Sequence, residues 1–178
     1  MKAIVRAIAP AICIYGFLTP ITASALQLNV DESRVGGRVS SIDMDDNSVD
    51  DTVGIGAYWE APFSAKAKLG LGFDYWSTDV RFNDSTDIDD VAIGAFGKYF
   101  FLAHEREVAP YGLAGLALHL IQVEDAEGND DRRELSLDLG VGVNITVTPF
   151  VSLNAELRNR NIDNYDYADL SVGAVAKF

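Results

Sequence analysis

Residues 135 to 147 read LSLDLGVGVNITV, and the stretch alternates without a slip. Leu135, Leu137, Leu139, Val141, Val143, Ile145 and Val147 leave one face of an extended chain. Ser136, Asp138, Gly140, Gly142, Asn144 and Thr146 leave the other. Strict period two predicts a β-strand. In a soluble sheet the apolar face would cover a core and the polar face would meet water. One strand alone does not choose between that arrangement and its inverse. The other strands do.

The alternation recurs through the chain. Val53, Ile55, Ala57 and Trp59 share one parity, as do Leu69, Leu71, Phe73 and Tyr75, then Val91, Ile93, Ala95, Gly97 and Tyr99. Val151, Leu153, Ala155 and Leu157 follow, and Ala168 to Phe178 closes the series. Two further segments are less clean. Tyr111 to Gln122 is apolar on both faces, and Ser33 to Met44 puts Val35 and Val39 in one phase and Ile42 and Met44 in the other. No convincing helical stripe is present after residue 26. The count is eight strands of about ten residues, the even number that an antiparallel single-chain barrel requires.

The second face of these strands decides which side is inside. It consists of glycine, small hydroxyls and the charged residues Lys68, Asp74, Asp90, Lys98, Asp138, Glu156 and Arg158. Glycine weakens strands, so its recurrence on one face needs a reason. Close packing inside a narrow closed barrel supplies one. Mixed charges facing a lumen could pair across it, as a polar network or plug. The apolar face then points outward, into lipid. This reading makes the fold all-β, an eight-stranded antiparallel transmembrane β-barrel.

The connections sort by length. Short links (Ala61 to Ala65, Leu102 to Val108, Val147 to Phe150) alternate with longer acidic ones near Asp45 to Asp51, Ser77 to Ile88, Val123 to Arg132 and Asn159 to Tyr167. Membrane barrels have short periplasmic turns and long extracellular loops. Aromatic residues gather at strand ends: Trp59, Phe63, Tyr99, Phe100, Phe101, Tyr111, Phe150 and Phe178 on the turn side, and Tyr75, Trp76, Tyr165 and Tyr167 on the loop side. Rings at those two levels are expected to form interfacial girdles.

The N-terminus belongs to targeting and not to the fold. Lys2 and Arg6 precede an apolar run from Ala7 to Ile21, and Ala23 and Ala25 occupy the small-residue positions of a cleavage site. Pro10 and Pro20 interrupt the run, which argues against a membrane anchor helix. The expected division is a signal peptide over 1–25 and a barrel domain over 26–178. The single cysteine, Cys13, then leaves with the signal, and the mature chain has no disulfide to hold it. Ile12 before Cys13 is not the small residue a lipoprotein site needs.

The segments APYGLAGLAL, LSLDLGVGVNITVTPFVSLNAEL and the closing ADLSVGAVAKF resemble the small outer-membrane β-barrels of Gram-negative bacteria, the OmpA-like and OmpX-like eight-stranded barrels. That resemblance spans the whole mature chain and implies outer-membrane location and a porin-like or structural envelope role. It also implies that Phe178 serves as the terminal aromatic recognised by the outer-membrane assembly machinery. Its partners would be outer-membrane lipid and lipopolysaccharide, and it would act as a monomer.

Other functions are less well supplied with residues. The net charge of −13 argues against a nucleic-acid partner. A lipid-modifying outer-membrane enzyme would need a nucleophile, a base and an orienting group. His104 lies beside Glu105, Arg106 and Glu107, which reads as a solvated turn, and His119 could pair with Ser136 or Ser171 only if strand register allowed. No catalytic residue is therefore assigned. An EF-hand counted from Asp43 places Ser48 and Gly54 where glycine and glutamate belong, so the metal motif fails. No cofactor is expected, and weak Ca²⁺ or Mg²⁺ association at the acidic loops is the most that composition suggests. A soluble periplasmic lipocalin-like carrier is the remaining alternative; the glycine-rich charged face, the sorted links and Phe178 argue against it.

Overall fold

The computed structural model describes residues 32–44, 51–80, 83–125, 128–162 and 166–177. The proposed signal peptide and Phe178 lie outside the described residues. Eight strands follow one another: β1 (Arg34–Met44), β2 (Thr52–Ser64), β3 (Ala67–Val80), β4 (Asn83–Phe100), β5 (Val108–Asp125), β6 (Gly128–Thr146), β7 (Val151–Ile162) and β8 (Asp166–Lys177). Each pairs antiparallel with the next, and β1 pairs with β8 from Arg34↔Lys177 to Met44↔Tyr167, so the sheet closes. Closure satisfies the backbone groups that an open edge would leave bare in lipid.

The ladder has a definite stagger. Starting at Arg133 on β6 and passing through Leu120, Val91, Tyr75, Ile55, Val39, Val172 and Ala155, it returns to β6 at Val143, ten residues further on. For eight strands such a shear goes with a tilt of about 40° and an interior just wide enough for side chains.

The two faces then separate as period two requires. Val53, Ile55, Leu71, Ile93, Leu116, Leu135, Leu153 and Val172 are exposed on the outside. Lys68, Asp90, Lys98, Asp138, Glu156 and Arg158 are buried within. A soluble carrier would show the reverse, with a polar exterior around an apolar lining. Ile42 and Met44, which break the phase of β1, are buried inside the barrel. Their parity is regular; they are apolar residues on the lumen face.

Three strands are longer than the sequence pattern indicates. β4, β5 and β6 have 18, 18 and 19 residues. Two segments read as loops, Ser77 to Ile88 and Val123 to Arg132, are largely paired strand: Asp79 pairs with Asp87, and the β5–β6 ladder continues from Val123↔Asp130 to Asp125↔Gly128. The cause is solvent. Beyond the lipid both faces of a hairpin meet water, so apolar alternation disappears while backbone pairing continues.

At the opposite end the turns are tied to one another. Phe100 N–H donates to Lys66 O at 2.7 Å, and Thr146 N–H donates to Glu107 O at 2.8 Å. Thr148 Oγ1 accepts from the backbone N–H groups of Phe150 and Val151 at 3.2 and 3.0 Å, which closes the β7 entry.

Candidate functional site in the barrel lumen

The lumen is built in three layers. At the turn end Tyr58, Phe96, Phe100, Ala109, Tyr111, Leu113 and Val175 form an apolar cluster. At the loop end Ile42, Met44, Trp76, Ile162 and Tyr167 form a second, with Ile88 packed against it. Most of the charged residues lie between them, while Glu60, Lys68 and Lys98 are set among the rings of the turn-end cluster.

Glycine makes the lower layer possible. Tyr58 faces Gly36 in the ladder and Tyr111 faces Gly142. A Cβ at either glycine would lie 2.5 Å from the Cζ of the opposite tyrosine, so each ring occupies space that only glycine leaves open. This is the physical reason for the glycine-bearing face.

The charged layer is densely paired. Glu60 accepts from Lys68 Nζ at 2.6 Å and from Lys98 Nζ at 3.1 Å. Lys98 also sits 4.8 to 5.2 Å from the ring centroids of Tyr58, Tyr111 and Phe96, so its charge is met by three aromatic faces as well. Arg38 donates two hydrogen bonds to Asp74, at 2.8 and 2.6 Å, and Arg160 reaches the same carboxylate at 2.5 Å. Arg158 binds Glu156 at 2.5 Å and Asp138 at 3.3 Å, while Arg160 Nε donates to Asp169 at 3.2 Å. Tyr111 and Asn154 extend the network downward, donating to Glu156 at 2.9 Å and to Tyr58 at 2.7 Å. A cavity of about 10 Å³ lies among Arg38, Asp74, Asp138, Arg158 and Arg160, room for about one water.

A Ser–His–Asp contact also occurs here. His119 Nδ1 is 2.7 Å from Asp90 Oδ2, and its Nε2 is 3.1 Å from Ser136 Oγ. The spacing resembles a nucleophile with its base and orienter. Two observations separate it from one: all three side chains are buried, and Ser136 O–H donates to Asp138 Oδ1 at 2.7 Å. Its proton is already committed, and a substrate would have to pass one of the apolar layers to reach it.

Residues 13–178 match the family described as outer membrane protein beta-barrel domain. The chain belongs to that family. Its location is therefore the outer membrane, surrounded by lipid. Similar solved structures include Neisserial surface protein A (23% identity, TM-score 0.67, covering 82% of this chain and 97% of that one). The Yersinia pestis attachment invasion locus protein Ail has 17% identity, a TM-score of 0.60, and coverage of 83% and 97%. The Pseudomonas aeruginosa outer membrane protein OprG has 15% identity, a TM-score of 0.59, and coverage of 83% and 96%. No curated protein sequence matches the chain.

In this outer-membrane barrel all seven charged residues singled out on the polar strand face lie in the lumen. Lys68 and Lys98 converge on Glu60, Glu156 and Asp138 share Arg158, Asp74 takes Arg38 and Arg160, and Asp90 meets His119. Four essential partners escape the sequence pattern. Glu60 lies one residue past Trp59 and Arg160 falls in a segment read as a loop, yet both keep lumen parity. Extending the strands by two residues would have found them. Arg38 sits on the strand whose phase is broken by Ile42, and Asp169 has lumen parity beside Ser171.

The aromatic reading needs correction. Phe101, Phe150 and Tyr75 are exposed at the two ends of the belt, but Phe100, Tyr111, Trp76 and Tyr167 are buried in the lumen. They cap the charged layer instead of forming girdles. Parity separates the groups: Tyr75 points out and Trp76 in. Tyr165 and Phe178 lie outside the described residues. His104 is not solvated either. It is 4% exposed, packs edge-on against Phe100 at 5.9 Å, and burial pushes its imidazole below the ordinary histidine range.

Proposed function

We propose that this protein is a structural, non-catalytic envelope barrel whose lumen is closed to solutes. The observation that carries the reading is the filled interior: buried charge pairs packed between and among two apolar, aromatic-rich clusters. Ions crossing would have to break buried pairs whose partners would then be left uncompensated, a costly step. Planar-bilayer recording at neutral pH tests this. The expected result is the absence of large, stable conductance; sustained large openings would overturn it.

The reading includes a monomer without cofactor, delivered by the assembly machinery through Phe178. Its acidic loop end would contact lipopolysaccharide, with Ca²⁺ or Mg²⁺ bridging carboxylates to lipid phosphates. Exposed Asp87, Asp130 and Asp131, with half-buried Asp89, give that end its negative character. Topology is tested by single cysteines, since the mature chain has none. On intact cells a membrane-impermeant maleimide should label Asp131→Cys and spare Glu105→Cys until the outer membrane is permeabilised. The opposite pattern would invert the barrel.

A further inference from the structure

The guanidinium of Arg160 leaves one donor unanswered. Its Nε donates to Asp169 at 3.2 Å and its Nη2 to Asp74 at 2.5 Å. Its Nη1 is buried and has no acceptor among the described residues. Arg160 is only 2% exposed, so bulk solvent does not reach that group freely. A buried N–H without a partner loses its hydration and gains nothing in exchange.

The same region holds a second incomplete contact. Asp138 of β6 lies directly opposite Arg160 of β7 in the ladder, yet the nearest approach of the pair is 3.8 Å, from Nε to Oδ2. That separation is too long for a direct hydrogen bond, and a bridging water completes such a contact. Arg160 and Asp138 both line the cavity of about 10 Å³, together with Arg38, Asp74 and Arg158. Space, an orphaned donor and a carboxylate just out of reach thus coincide.

We propose that this cavity is a resident hydration site, in which a single trapped water accepts from Arg160 Nη1 and donates to Asp138 and Asp74. The water joins two groups of charges that otherwise touch only at their margins. Arg38, Asp74, Arg160 and Asp169 form one, and Arg158, Glu156 and Asp138 form the other. Other occupants fit the chemistry less well. An anion would accept from Arg160 but would face two carboxylates, and a cation would face three guanidinium groups. Water both accepts and donates, and the volume matches one molecule of it.

The site also offers a way to remove the water without touching a charge. Gly72 lines the cavity from β3. A Cβ there would lie 3.7 Å from Phe96 Cε1 and 4.0 Å from Arg38 Nη2, ordinary contact distances. A methyl group at this position is accommodated by the walls and takes the space of the water. Gly94, which lines the cavity from β4, lacks that clearance, because its Cβ would meet Leu116 O at 2.7 Å.

The proposal names an occupant of the closed lumen and is tested apart from conductance, by ¹⁷O magnetic relaxation dispersion of water in solutions of the barrel refolded in micelles. The parent chain should show a dispersion from water held longer than the tumbling time of the particle. Gly72→Ala should lower its amplitude by the equivalent of one water. No dispersion from the parent would overturn the proposal, and so would an unchanged amplitude in the variant, which would place the long-lived water elsewhere. If Gly72→Ala does not fold, the parent barrel decides alone. Water should then give NOE and ROE cross-peaks of opposite sign to Gly72 Hα and to the methyl group of Ala92, another residue of the cavity wall. Their absence would leave the site dry and defeat the proposal, whatever the bilayer recordings show.

Discussion

The lipid-facing belt and the lumen are made by the same strands, residue by alternate residue, and they obey opposite rules. On the outside Leu71, Ile93, Leu116, Leu137 and Val172 present apolar area to lipid, which asks for no particular neighbour. Inside, each charged side chain has named partners at hydrogen-bond distance, as Glu60 has Lys68 and Lys98. The exterior therefore specifies a class of residue, and the interior specifies individuals. Removing one side chain should be mild outside and severe inside.

The largest expected effect tests that contrast directly. Arg158→Met leaves Glu156 and Asp138 without their shared cation, and should cost about 3–5 kcal/mol in reversible folding into liposomes. Its outward neighbour supplies the control: Leu157→Met should cost less than about 1.5 kcal/mol. Similar losses for both would break the comparison. A charge placed outside comes next. Leu139→Arg and Val141→Arg should each lose about 2–4 kcal/mol near the bilayer midplane, by the same measurement.

Glycine sharpens the contrast at a smaller scale. Gly142→Ala drives a methyl group into the Tyr111 ring and should cost about 1–3 kcal/mol. Gly37 points outward, and the nearest atom to a Cβ there is Gly56 O at 3.7 Å. Gly37→Ala should be neutral or slightly stabilising in urea-unfolding assays, by at most about 1 kcal/mol. If the two variants behave alike, the glycines of the lumen are not there to make room for rings.

The smallest effect concerns pH and the one histidine of the turn end, His104. His104, buried in the β4–β5 turn, resists protonation in the folded state, its imidazole pushed down chiefly by burial. Unfolded histidine takes up its proton near pH 6.5. Stability supplied by neutral His104 is thus present above that value and is lost as pH falls through it. Replacement by Gln should flatten the decline between pH 7 and 5 in unfolding midpoints. A steeper decline would show that His104 is charged in the folded turn.

Much of the fold was legible because lipid imposes its own periodicity. Wherever a strand crosses the bilayer, one face must be apolar, so parity alone orients Leu139 outward and Asp138 inward. Above the bilayer that pressure ends, and β4 to β6 run on through Ile88, Val123 and Arg132 with no alternating signal. Aromatic residues misled for a related reason. An interfacial girdle and a lumen cap occupy the same height along a strand, so position near an end does not distinguish Tyr75 from Trp76; only parity does.

Sequence by itself determined the strand number, the face that meets lipid and the charged character of the lumen. Each follows from a local rule, the alternation of side chains along an extended chain against an apolar solvent. Tertiary structure alone decided which charges meet. A stagger of ten residues around the barrel sets Arg158 beside Glu156 and Asp138, brings Arg38 and Arg160 onto Asp74, and seats His119 between Asp90 and Ser136. Pairing across a closed sheet depends on register, and register is a property of all eight strands together.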